Sequence, residues 1–471
     1  QSALSAAGRG DTVLVQPATY TENIIWPETN GIKLISAGDS SNTIIDGGGV
    51  SSVIYMNPQT ATIDTTTLIQ GFKITNGSST HGGGLYLSAS PKISNGLIIS
   101  NICDGYGTYG GGVYIEPNSS IAVIENSQII TNSSWRGGAI YQEAGSLIIR
   151  NVKLIENSAE YKGGGIGVDN ATTYINESVI SENSTSDGSG QGSGIHSRYS
   201  SLICNNTIIE GNNGWSGAGM MIHWGSMDAS NLIVKDNISS YKGGGIFLEH
   251  AQVGINNALI YNNTADYGAG LIAEHGNTTV LNSKIVNNLA SYEGGGVLLE
   301  YCAITFDTTS ILNNSSNSGG AIYVEGGTIG NFTNNTIWGN TSQNINGFHL
   351  DPIGDPISLT ISNTNIYNIG YSVMNENFAE YVTAQNNYWG DPSGPYHQTQ
   401  NPSGQGDSVN AFVNIDPWLT IPNTDAPPIP AQNTTVTGTG NDFISFNWDA
   451  SLIGDLAGYK IYYDSDSSGY P

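Results

Sequence analysis

Four of the seven histidines, His196, His223, His250 and His275, follow one another at near-equal steps in the middle of the chain. Around them stand Arg198, Tyr199, Trp224, Glu249, Glu274, Glu300 and Tyr301. Brought to one face, such side chains suit a sugar polymer: aromatic faces stack on pyranose rings, while carboxylates and a guanidinium bond hydroxyls. They could also do chemistry. A polysaccharide lyase needs a cation or an arginine to neutralise a uronate, and a base to take a proton. Arg198 and His223 could fill those roles, with Glu249 and Glu274 as calcium ligands and Glu300 as a third carboxylate of a metal-binding column. A glycosidase needs two carboxylates, and those of a retaining enzyme lie about 5 Å apart. The sequence carries no catalytic motif of a lyase or hydrolase family, and no i, i+4 helical ligand pair backs a His–Glu metal site. The plainer alternative is that these rings and charges merely cover turns.

The spacing of these residues follows a repeat. A glycine-rich triplet and a short apolar run recur at Gly82, Gly110, Gly137, Gly163, Gly192, Gly217, Gly243, Gly268, Gly294 and Gly319, in steps of 28, 27, 26, 29, 25, 26, 25, 26 and 25 residues. A second phrase, Asn-x-x-apolar-x-x-Asn, keeps time with it at Asn95/Asn101, Asn126/Asn132, Asn151/Asn157, Asn206/Asn212, Asn231/Asn237, Asn257/Asn263 and Asn282/Asn288. Units of one length repeated ten times are a repeat architecture. The apolar runs are too short for helices and alternate with period two, as in Ile246-Phe247-Leu248-Glu249, which marks strands. Gly and Asn supply the bends, since both tolerate positive φ. One unit buries little; stacked units pair strand on strand at about 4.8 Å. Matching Asn residues then lie over one another and bond along the stack. Stacking also brings neighbouring carboxylates to about 5 Å whatever their role, so that spacing is not diagnostic of a glycosidase.

Counting from the first glycine of each triplet, places three and five point inward. Place four (Tyr86, Tyr114, Tyr141, Gly167, His196, Met221, Phe247, Ile272, Leu298, Tyr323) points out and is expected to form an exposed aromatic and apolar strip. Place six (Ser88, Glu116, Glu143, Asp169, Arg198, His223, Glu249, Glu274, Glu300, Glu325) is a carboxylate column interrupted by Arg198 and His223. Tyr199, Trp224, His250, His275 and Tyr301 share place seven. A second column, Trp135, Tyr161, Trp215, Tyr241 and Tyr292, with Arg136, Lys162 and Lys242, precedes the triplets.

The repeat resembles the right-handed parallel β-helix of the pectin-lyase-like superfamily, and the paired phrases are similar to the repeats of polymorphic outer-membrane proteins. The handedness is what that resemblance implies. The fold class expected is all-β: a right-handed parallel β-helix solenoid of about 14 coils, followed by a partial β-sandwich segment. Residues 1–420 form the solenoid, with a cap helix at 1–10, the regular array at 82–340 and terminal coils at 386–420. Asp11-Thr12-Val13-Leu14-Val15 and Asn386-Asn387-Tyr388-Trp389-Gly390 resemble the first and last coils of secreted β-helix proteins, Ala18 departing from a usual Gly. The Pro- and Thr-rich stretch 421–434 reads as a linker. Residues 435–471 resemble the first half of a fibronectin type III module.

The balance of 13 basic against 39 acidic residues, net −26, disfavours nucleic acid and anionic membrane as partners. No apolar run is long enough to span a membrane, and the chain opens inside a first cap, consistent with a leader already removed. Cys103, Cys204 and Cys302 are an odd count without a CxxC, read as buried thiols. These features together lead to an expectation of a secreted or cell-surface stalk or adhesin with a glycan-binding outer face and possible self-association along the rod. The alternative is a lyase or hydrolase acting on an acidic polysaccharide, with calcium as a possible cofactor.

Overall fold

Each repeat folds as one coil, and its strands lie over their counterparts in the next, in register apart from local bulges. Place three shows this directly: Val113 pairs with Ile140, Ile140 with Ile166, Ile166 with Ile195, Ile195 with Met220 and Met220 with Ile246, all in parallel. The computed structural model describes residues 1–116, 121–186, 188–368, 370–376, 382–429, 431, 434–440 and 443–449. Over these the chain winds as a right-handed parallel β-helix of about 14 turns.

Three long parallel sheets form its faces. Sheet A has 16 strands, from Thr12–Val15 to Val413–Asn414; sheet B has 14, from Thr19–Thr21 to Asn365–Tyr367; sheet C has 16, beginning at Ile24–Ile25. A fourth, sheet D, of nine strands from Ser133–Arg136 to Thr341–Ser342, is inserted between B and C in the middle coils. The order within a coil is therefore A, B, D, C. The only helix among the described residues, Ser2–Ala6, sets Leu4 into the core at the first coil. Among the described residues no helix is long and apolar enough to cross a membrane.

The inward places three and five are fully buried from Leu85 to Val324. The second Asn of each phrase is buried too, and it forms an unbroken ladder. Asn237 Nδ2 donates to Ile209 O (3.0 Å) and Asn263 Oδ1 (2.9 Å), while its Oδ1 accepts from the backbone N–H and Nδ2 of Asn212. The first Asn of each phrase is different. Asn231 and Asn257 sit at positive φ and are exposed, bonding side chain to side chain along a separate outer column.

Place four is not the exposed strip that alternation implies. Tyr114, Tyr141, His196, Met221, Phe247, Ile272, Leu298 and Tyr323 are all buried, although they leave the sheet on its outer side. Met221, Phe247, Ile272, Leu298 and Tyr323 form a second apolar cluster, with Tyr267 of sheet D packed against it. The first glycine of the triplet makes this possible. Gly243 lies at φ +67, and a Cβ there would come within 2.7 Å of the Phe247 Cβ. The bend thus folds sheet D back over the outer side of sheet C, and the place-four side chains fill the angle.

All three cysteines are free and buried. Within the linker stretch, Asn423 bonds Asn365 and donates to Asn363 O, and Ile429 packs on Trp338, so Asn423 and Ile429 lie against sheet B. Strands Thr435–Thr439 and Ile444–Asn447 pair antiparallel. The remainder of the fibronectin-like reading, 450–471, lies outside the described residues.

Candidate functional site

Two features meet on the outer side of sheet C. The first is a ladder of rings at the corner between sheets C and A. Tyr199, Trp224, His250, His275 and Tyr301 occupy one position on five successive coils, with centroids 6.4, 3.8, 4.8 and 5.4 Å apart. All five have left-handed backbones, at φ between 46° and 54°. Asn170 holds the corresponding place before them, also at positive φ, and glycine residues turn the corner after Tyr301. Asn and Gly adopt this region readily; a bulky side chain there costs roughly 1–2 kcal/mol. Tyr199 (54%) and Trp224 (46%) are well exposed. Trp224 and His250 lie nearly parallel, so their facing surfaces cover each other and the ladder presents mainly ring edges and its ends. Tyr301 donates from its hydroxyl to Ile353 O (3.1 Å).

The second feature is a charged cleft between place six of sheet C and the residue that ends each sheet D strand. Asp169 is its centre. Arg198 Nε donates to Asp169 Oδ1 (2.6 Å), the Tyr141 hydroxyl donates to Oδ2 (2.5 Å), and Arg136 approaches Oδ2 at 3.8 Å. Lys162, over the Tyr161 ring at 4.8 Å, is buried with no carboxylate within ion-pair distance among the described residues. Burial, then the Arg136 and Arg198 charges, push its amine down to about 8. One coil on, His223 Nε2 faces Glu249 Oε2 at 3.6 Å, and burial holds the imidazole below its usual range. Further along, Lys242 Nζ bonds Glu274 Oε1 (2.6 Å) and lies 3.8 Å from Glu300. Beyond that the cleft is acidic, and Glu325 is pushed up to about 7 by burial and by Glu300 and Glu293.

The sequence-predicted residues therefore fall into groups. Tyr199, Trp224, His250, His275 and Tyr301 form the ladder; Arg198, His223 and Glu249 line the cleft beside it. His196 is corrected: it is only 2% exposed, with Nε2 unpartnered, because it occupies place four beneath sheet D. Burial and the neighbouring Lys162 charge hold it neutral. Glu249, Glu274 and Glu300, expected as a metal column, face His223 and Lys242. Glu274 is buried, and its carboxylate is occupied by the Lys242 amine, which also faces Glu300. Among the described residues no group of three or more His, Cys, Asp or Glu side chains converges as metal ligands. By sequence alone Arg136 and Lys162 belong to a separate column before the triplets. Their place just before the triplet, where the bend turns sheet D onto sheet C, is the signal that joins them to this cleft.

Residues 112–290 match the model of the family described as "Right handed beta helix region", the class that the fold defines. No curated protein matches the chain.

Proposed function

We propose that this is an extracellular or cell-surface β-helix protein, a stalk or adhesin, whose ring ladder and adjoining cleft bind a glycan. The observation that carries this reading is the ladder itself. Five coils in succession hold a bulky ring in a left-handed backbone where neighbouring coils use Asn or Gly, and strain of this kind gathers at binding sites. Ring edges carrying N–H and O–H groups, next to Arg198 and Glu249, offer hydrogen bonds to sugar hydroxyls. A glycan array probed with the protein and with His223→Ala/Trp224→Ala tests it. Binding that the double variant loses, with stability lowered by no more than the roughly 0.5–1.5 kcal/mol of ring stacking, is the expected result; no bound glycan, or binding indifferent to the substitutions, overturns it.

One observation favours a second reading, a polysaccharide lyase. His223 is a neutral imidazole beside Glu249, the state a general base requires. Arg198 suits it less, since its Nε is committed to Asp169. Unsaturated product released from a polyuronate by the native protein and not by His223→Ala is the result this reading requires.

A further inference from the structure

We propose that the cationic end of the cleft, formed by Arg136, Lys162 and Arg198 with His196 and His223, is an oxyanion site that takes a carboxylate or sulfate group carried by a sugar.

The chain has only 13 Lys and Arg residues against 39 acidic ones, yet three of those cations meet here on successive coils. Asp169 is the one carboxylate bonded among them, and its oxygens are already taken by Arg198 and Tyr141, with Arg136 nearby. Lys162 is thus a buried ammonium in excess. A buried charge without a paired counter-charge costs several kcal/mol, and Asp169 and Glu249 act on Lys162 only from beyond ion-pair distance.

The buried polar atoms that lack a partner point the same way. Of these, the nitrogens Arg136 Nε, His196 Nε2 and His223 Nδ1 belong to this neighbourhood. Arg136 Nε is a fixed donor, and the imidazole nitrogens can donate in one tautomer. A planar or tetrahedral oxyanion uses several such donors at once. The floor, Lys162 and His196, is buried, whereas the side chains of Arg136, Arg198 and His223 are 17%, 31% and 23% exposed. An anion can therefore reach the site from the rim. Glu249, also facing Lys162, and the acidic run beyond Lys242 repel a second negative group, so a ligand would lie with its anion at this end.

The glycan arm of the test rests on the proposed function; the inorganic arm does not. Calorimetric titrations would compare a sulfated oligosaccharide, an oligouronate and a neutral oligosaccharide with the native protein and with Lys162→Met and Arg136→Gln. Sodium sulfate alone would be titrated against chloride at matched ionic strength. Binding of inorganic sulfate is expected, with affinity falling as pH rises through about 8 and Lys162 loses its proton. Each substitution should weaken sulfate and the preferred charged sugar by more than about ten-fold and leave any neutral sugar unaffected. Preference for the sulfated or the carboxylated sugar identifies which oxyanion is meant. Sulfate that binds no better than chloride, or charged ligands unaffected by Lys162→Met, overturns the site. If sulfate binds and no glycan does, the oxyanion site stands and the proposed function falls. Lys162→Met removes a buried charge that has no ion-pair partner among the described residues, so loss of folding is not expected to obscure the result.

Discussion

Individual side chains here are held in costly states, and each cost can be measured. Trp224 stores backbone strain and is repaid by stacking on His250. Replacing it with Asn relieves roughly 1–2 kcal/mol of left-handed strain and forfeits roughly 0.5–1.5 kcal/mol of ring contact. Trp224→Asn should therefore lie within about 1 kcal/mol of the native protein in chemical denaturation; a loss of several kcal/mol would make the ring a structural element. Glu325 is a second case. Its folded pKa of about 7 lies above the ordinary 4.5, so the folded state penalises the ionised form. The penalty is absent below the unfolded value, builds between about 4.5 and 7, and is complete above that. Glu325→Gln should leave stability unchanged at pH 4 and raise it at pH 8 by about 1–2 kcal/mol, after discounting for partial exposure. Equal effects at both pH values would show that Glu325 is solvated like any surface carboxylate.

At the scale of the strand and turn, the two Asn columns carry unequal loads. Asn237→Ala removes two donated and two accepted bonds inside the stack. At about 1–3 kcal/mol for each buried group left unpaired, a loss of about 3–5 kcal/mol is expected. Asn231→Ala, on the exposed column, should cost about 1 kcal/mol, mostly the left-handed backbone. Thermal unfolding of the pair checks the difference; equal losses would mean that the outer column also supports the core. The sequence displayed both columns but did not rank them, because each has the same period and only the winding says which faces inward. Places three and five were legible for the opposite reason, since they are apolar in almost every coil and a bend beside them fixes their side. Place four was misjudged because alternation reports which side of a sheet a residue leaves, and cannot see another sheet folded over that side. Burial of His196, and the joining of Lys162 and Arg136 to Arg198, follow from that one fold-over at the glycine. The ring ladder was legible as a column, yet not as mutually covered faces, since ring orientation depends on the left-handed turn.

At the scale of the whole molecule, the stack turns a repeat in sequence into a ruler in space. Successive coils rise by about 4.8 Å, close to the advance of an extended glycan chain per sugar. The ladder from Tyr199 to Tyr301 crosses four such steps, about 19 Å, and the cleft runs beside it from Arg136 to Glu325. A glycan bound along this axis meets one ring edge per coil, so each added sugar gains a like contact until the ladder ends. Affinity measured over an oligosaccharide series should therefore climb up to four or five sugars and then level, the gain appearing mainly as slower dissociation. A ligand held at one end of the ladder, or across the rod, would reach full affinity with one or two sugars. A series that levels there would place the site on a single coil and remove the reason for five rings in line.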